Sequence, residues 1–248
     1  MLNGTFASRA ARRGGVLLAV LFLTACGADG LLTAPGRSDA RIALAPPAHD
    51  PVIFVHGYNA NSATWTTMYN RFKADGYTDA ELVNWSYDYK QSNATTAQKL
   101  SAKVDSVLAA TGAYHVDIIT HSMGALSARY YVRNSLSALD RRVDALVTLG
   151  GTNHGTSTAW GCLPIACVEM RTYSTFTSRL NSVDETWGAP RYGTWWSPCD
   201  EVILPQKSAV LSGAKNTQTA CIRHSQLHES ATVYAQVRDF VKFTPIIF

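Results

Sequence analysis

Apolar residues recur along this chain with two periods that take turns. Short runs dense in β-branched residues, Pro51-Val52-Ile53-Phe54-Val55, Val116-Asp117-Ile118-Ile119-Thr120 and Val143-Asp144-Ala145-Leu146-Val147-Thr148-Leu149, predict buried strands. Ala80 to Trp85 and Tyr192 to Trp196 predict two shorter ones. Between the strands the spacing changes to three or four. Trp65, Met68, Tyr69 and Phe72 make the inner face of a helix over residues 63–74, with Gly76 stopping it. Ala97, Leu100, Val104, Val107 and Leu108 do the same over 95–110, closed by Gly112. Leu126 to Val132 continue as a third helix, and Val233, Val237 and Phe240 mark a last one near 232–240. Alternating strands and helices predict an α/β domain: a mostly parallel sheet with helices on both faces. Residues 151–192 break the alternation; the stretch is too long for a plain connector and reads as functional or locally stapled.

The 248 residues suffice for one sizeable domain. Of the formal net charge of +4, three charges are Arg9, Arg12 and Arg13 in a leader without acidic residues, so the remainder is near neutral. That balance supplies no electrostatic reason for a nucleic-acid partner. The leader, residues 1–25, reads as a secretory signal: basic start, an apolar run from Val16 to Leu23 too short to span a bilayer as a lasting helix, then small residues. Leu23-Thr24-Ala25-Cys26-Gly27 resembles a lipobox, in which Cys26 becomes the acylated first residue and anchors the protein to a membrane. Arg12-Arg13 hints at twin-arginine export, although its surroundings fit that signal poorly. Residues 26–48, rich in Ala, Gly and Pro, read as a flexible tether, leaving 49–248 as the folded α/β domain. With Cys26 set aside, Cys162, Cys167, Cys199 and Cys221 form an even set suited to an oxidising compartment. No C-x-x-C pair suggests zinc.

Chemistry gathers at Thr120-His121-Ser122-Met123-Gly124. A serine on a sharp strand-to-helix turn lifts its hydroxyl to the carboxyl edge of the sheet, and the next amide, that of Met123, can hold a developing oxyanion. Thr120 stands where G-x-S-x-G has its first glycine. Sites in open α/β sheets form beyond the carboxyl ends of strands, an edge shared by Ser122, His56-Gly57-Tyr58 and the loop from Gly150 to Thr156. A serine nucleophile needs a base, and the base an orienting acid. His56 and His121 read as structural, His115 lies at the wrong strand end, His49 closes the tether, and His154 sits among glycines. His224 and His228 remain as bases, late in the chain as the hydrolase order requires. Asp117 and Asp144 begin their strands and are excluded; Asp200 follows a strand at the right edge. Glu201 should point elsewhere, and Asp184 and Glu185 read as solvated.

From Pro51 to Phe240 the chain resembles the small bacterial class 2 triacylglycerol lipases of the α/β-hydrolase superfamily. The resemblance rests on Val55-His56-Gly57-Tyr58, Thr120 to Gly124, Leu149 to Thr156, Cys199 to Pro205 and His224-Ser225-Gln226-Leu227, in that order. It implies Ser122 as nucleophile and the amides of Tyr58 and Met123 as oxyanion donors. Leu227 and Val233 match the family's spacing from His224, which displaces His228 as the base. The resemblance implies an acyl-ester lipid substrate, no metal and no organic cofactor, in a chain expected to be monomeric. A polyester depolymerase, an acyltransferase on the same triad, or a non-catalytic surface binder are the alternatives. If Asp200 meets His224, their loops lie close, so Cys199 should pair with Cys221 and Cys162 with Cys167.

Overall fold

The computed structural model describes residues 47–134 and 141–242. The proposed signal, Cys26 and nearly all of the tether lie outside the described residues.

Six strands form one parallel sheet in the order β2-β1-β3-β4-β5-β6. They are β1 Val52–Val55, β2 Leu82–Asn84, β3 Val116–His121, β4 Val143–Leu149, β5 Arg191–Trp196 and β6 Lys215–Gln218. Side chains alternate between faces. Phe54, Ile119 and Val147 enter one core with Trp65, with Met68 and Phe72 from α1 (Thr66–Ala74) and with Val233, Tyr234 and Val237 from α6 (Ala231–Val241). Ile53, Ile118 and Leu146 enter the other with Leu100, Val104 and Val107 from α2 (Asn93–Thr111) and Ala128 and Tyr131 from α3 (Gly124–Asn134). Burial on both faces explains why these strands read as continuous apolar runs.

The helix expected over 63–74 begins as a 3-10 turn, Ser62–Trp65, capped by the Asn61 carboxamide, before α1 proper. Gly112 ends α2 in the left-handed conformation with φ 71°. His49 is not loose chain: its ring stacks on Tyr77 with centroids 4.1 Å apart, and its amide donates to Glu81 at 3.2 Å. In the 151–192 stretch lie two six-residue helices, α4 (Ile165–Met170) and α5 (Thr175–Leu180), with a disulfide joining Cys162 and Cys167 at the start of α4. The chain leaves β1 toward β2 and returns past it to β3, so the strand order reverses between β1 and β3. A crevice at such a switch point is where open α/β sheets place ligands.

Candidate active site

Two loops leave the carboxyl ends at that switch point. After β3 the backbone turns at Ser122, whose φ of 55° is a left-handed value rare for a residue with a side chain. Such strain concentrates where a side chain must be presented rather than packed. The turn is pinned from several sides: the Ser122 amide donates to the Leu149 carbonyl at 3.0 Å, and its carbonyl accepts from the amides of Ala125 at 3.2 Å and Thr152 at 3.3 Å. A Cβ on Gly124 would stand 2.5 Å from the Val55 oxygen, and one on Gly57 would stand 2.8 Å from Ser122 Cβ. The β1 loop therefore lies directly against the turn. Thr120, bulkier than glycine, is accommodated because its hydroxyl donates to the Val147 carbonyl at 2.9 Å on the adjoining strand.

Beyond β5, Asp200 is buried, and its two carboxylate oxygens are divided between two tasks. Oδ1 accepts the amides of Val202 at 2.9 Å and Ile203 at 2.8 Å, fixing the side chain; Oδ2 lies 2.8 Å from His224 Nδ1. His224 opens a 3-10 turn, His224–Gln226, ahead of α6. Its carbonyl lies 3.1 Å from His121 Nε2, and its amide donates to Glu201 Oε2 at 3.1 Å. Glu201 thus does not point elsewhere, as its position beside Asp200 had suggested; it holds the backbone of His224. Cys199 and Cys221 are bonded, with Cα atoms 5.0 Å apart, and so join the loops carrying Asp200 and His224. The buried Ser197 hydroxyl ties them again, accepting the amides of Cys199 at 3.1 Å and Ile222 at 2.9 Å. Nothing in the sequence marked Ser197, because a hydroxyl that bridges two loops has no periodic or motif signature.

Ser122 and His224 open into one cleft of about 520 Å³, with Tyr58, Thr158 and Met170 among its walls. Among the described residues neither the Tyr58 nor the Met123 amide donates to a protein acceptor. Three other histidines are engaged elsewhere or held neutral. His56 is buried, its pKa lowered by that burial, with Nδ1 2.9 Å from the Gly57 carbonyl. Burial, reinforced by His224 and His228, holds the His121 pKa well below the ordinary imidazole value. His154 Nε2 lies 2.8 Å from Glu185, which also accepts the Ser212 amide at 2.6 Å; Glu185 is therefore a structural anchor rather than a solvated charge. Asp117 and Asp144 sit with Asp50 at the opposite edge of the sheet, their carboxylate oxygens within 4.8 Å of one another.

The parallel sheet, its switch point and the strand–turn–helix around Ser122 are those of the α/β-hydrolases. In solved structures the fold recurs in the mature lipase BlEst2 of Bacillus licheniformis, at TM-score 0.70 and 16% identity over 80% of this chain and 95% of that one. It recurs in lipase B of Aspergillus fumigatus, at TM-score 0.68 and 18% identity over 81% of this chain and 56% of that one. A third match is the lin2722 product of Listeria innocua, at TM-score 0.61 and 14% identity over 80% and 96% of the two chains. The family model described as Lipase (class 2) matches residues 49–242. The chain belongs to the class 2 lipases and is an ester hydrolase of lipid substrates.

Proposed function

We propose that the chain is an exported triacylglycerol lipase in which Ser122 attacks the ester carbonyl, His224 takes and returns the proton, and Asp200 orients the imidazole. The amides of Tyr58 and Met123 receive the oxyanion, and water then hydrolyses the acyl-enzyme. The observation that carries this reading is the 2.8 Å contact from Asp200 to His224 Nδ1, which leaves Nε2 as the nitrogen for a hydroxyl in the cleft that Ser122 shares. Both amides assigned to the oxyanion lack other acceptors among the described residues, as a pair reserved for a transient charge must. The two disulfides agree with export. Attachment through acylated Cys26 belongs to the same proposal: two or more chains give durable anchoring, one only marginal binding.

Ser122→Ala tests the assignment. Turnover of emulsified triglyceride should fall by a factor on the order of 10⁶ if the three side chains act as a unit, and a fluorophosphonate probe should label the native serine and not the variant. Ester hydrolysis near the native rate in that variant ends the proposal. Mass spectrometry of the mature N-terminus decides the anchor: a free terminus beyond Cys26 means a soluble enzyme.

A further inference from the structure

A second cavity, about 940 Å³, is larger than the catalytic cleft and shares none of its lining residues. The disulfide-stapled segment stands between them, with Ala159, Gly161, Cys162 and Met170 facing the cleft and Trp160 and Arg171 facing the second cavity. The size falls within the roughly 300–1,000 Å³ of small-molecule sites. Tyr130 and Phe176 line it as a stacked pair, centroids 5.2 Å apart, and Ile165 and Val168 from α4 extend the apolar wall. Trp160 is 63% exposed and Ile165 50%, so this wall leaves apolar surface in water that an acyl chain would cover.

The charged groups around that wall are three arginines and one glutamate. Arg133, Arg171 and Arg179 line the cavity, and none of them is paired with a carboxylate among the described residues. Arg171 is preset: it donates to the carbonyls of Ala159 at 3.4 Å and Cys162 at 3.1 Å, and lies 4.7 Å from the centre of the Trp160 ring. Arg133 donates to Ser182 at 2.9 Å, while its other terminal nitrogen, Nη1, is buried without an acceptor among the described residues. The one acid lining it among the described residues, Glu169, is already engaged, accepting from the Ser92 hydroxyl at 2.6 Å, the Asn93 amide at 2.7 Å and the Asn93 carboxamide at 2.8 Å. It spends its charge on the start of α2 and leaves the arginines uncompensated.

We infer that this cavity binds a single-chain anionic amphiphile, a long-chain fatty carboxylate, with its head among Arg133, Arg171 and Arg179 and its chain along Ile165, Val168 and Phe176. Planar guanidinium groups match a carboxylate geometrically, and the apolar wall beside them matches one alkyl chain. Naming the head as a carboxylate rests on the ester-hydrolase reading, since hydrolysis of a lipid ester releases that species; the cavity and its charge do not depend on it.

The test uses the full chain carrying Ser122→Ala, so that no outcome depends on the nucleophile. Dodecanoate with a terminal diazirine, kept below its micellar concentration, should bind saturably and on irradiation label peptides spanning Ile165–Leu180 or containing Tyr130. Arg179→Glu, on an exposed side chain with no side-chain partner among the described residues, should weaken dodecanoate binding at least about tenfold while the thermal midpoint stays unchanged; Arg179→Gln serves if the charge reversal unfolds. Labelling confined to cleft residues such as Tyr58 or Ser225, absence of saturable binding, or native affinity in a folded Arg179 variant overturns the inference. If instead Ser122 were not the nucleophile, ester hydrolysis by the Ser122→Ala protein would persist while the labelling result stood.

Discussion

His56 and Tyr87 stack ring on ring, with centroids 3.9 Å apart, and are joined twice more: the Tyr87 amide donates to His56 Nε2 at 3.2 Å and the Tyr87 hydroxyl to the His56 carbonyl. One ring nitrogen therefore accepts, and the other donates to the Gly57 carbonyl. That carbonyl shares a planar trans peptide with the Tyr58 N–H, so holding the oxygen aims the proton the opposite way. Burial depresses the His56 pKa, which keeps the ring neutral and able to do both. We expect His56→Ala to lower kcat about 10²-fold, comparable to losing one oxyanion donor, with KM nearly unchanged. Tyr87→Phe keeps the stack and should cost about tenfold. Steady-state kinetics on a soluble ester check this; a raised KM at native kcat would assign His56 to substrate binding instead.

The base can be tested by comparing two histidines that face the same cleft. His224 contacts Asp200, whereas His228 packs edge-on against His121 with centroids 4.8 Å apart and has its pKa lowered by burial. His224→Ala should be nearly inactive. His228→Ala should stay within about tenfold of native, ~1.4 kcal/mol in the barrier. The reverse order of activities would transfer the role to His228.

Asp117 makes a prediction about pH. It is fully enclosed, and burial first, then the neighbouring Asp50 and Asp144, raise its pKa well above the ordinary carboxylate value; one oxygen accepts the Ala145 amide at 3.1 Å. A raised folded pKa means the folded state holds the proton more tightly than the unfolded chain. The associated stability is complete below the unfolded value near 3.8 and is lost as pH rises through the folded one. Asp117→Asn keeps the acceptor without the charge. It should therefore stabilise at pH 7, by about 1–2 kcal/mol or roughly 2–8 °C in Tm, and the advantage should vanish as pH falls toward 4. Melting curves from pH 4 to 8 decide it; an advantage independent of pH would point to packing rather than charge.

The bridge between Cys199 and Cys221 should matter more to rate than to folding. Each cysteine lies within three residues of a proposed catalytic side chain, and Ser197 links the same loops without it. The Cys199→Ser, Cys221→Ser double variant should lose about 3 kcal/mol by the chain-entropy estimate, and a larger share of activity than Tm alone accounts for. Native turnover in the folded double variant would remove the bridge from positioning Asp200 and His224.

How much of this was legible in the sequence varied with how far each residue's environment is local. β1, β3 and β4 were readable because both faces are buried, and α2 because nineteen residues carry five turns of one apolar stripe. β6 escaped notice: Lys215–Gln218 is a polar, mostly exposed edge strand, and its only strand-like property is pairing with β5. α4 and α5, at six residues each, are too short for a period to register. Ser122 and His224 announced themselves through spacing and motif. Glu201, Ser197 and the grip of Tyr87 on His56 did not, because each reaches a residue more than twenty positions away through hydrogen bonds or ring contacts that leave no pattern in the sequence.

Gly150 bears on any attempt to redesign this enzyme. Its φ is +52°, and a Cβ there would lie 3.0 Å from both Asp200 Oδ2 and His224 Nδ1. The room beside the contact between Asp200 and His224 is thus set by a residue that supplies no functional group. In a library built to widen or narrow the cleft, a single methyl at position 150 would crowd Asp200, His224 and Leu227 together. For directed evolution it is a fixed coordinate: every useful sequence has to be sought around that empty place.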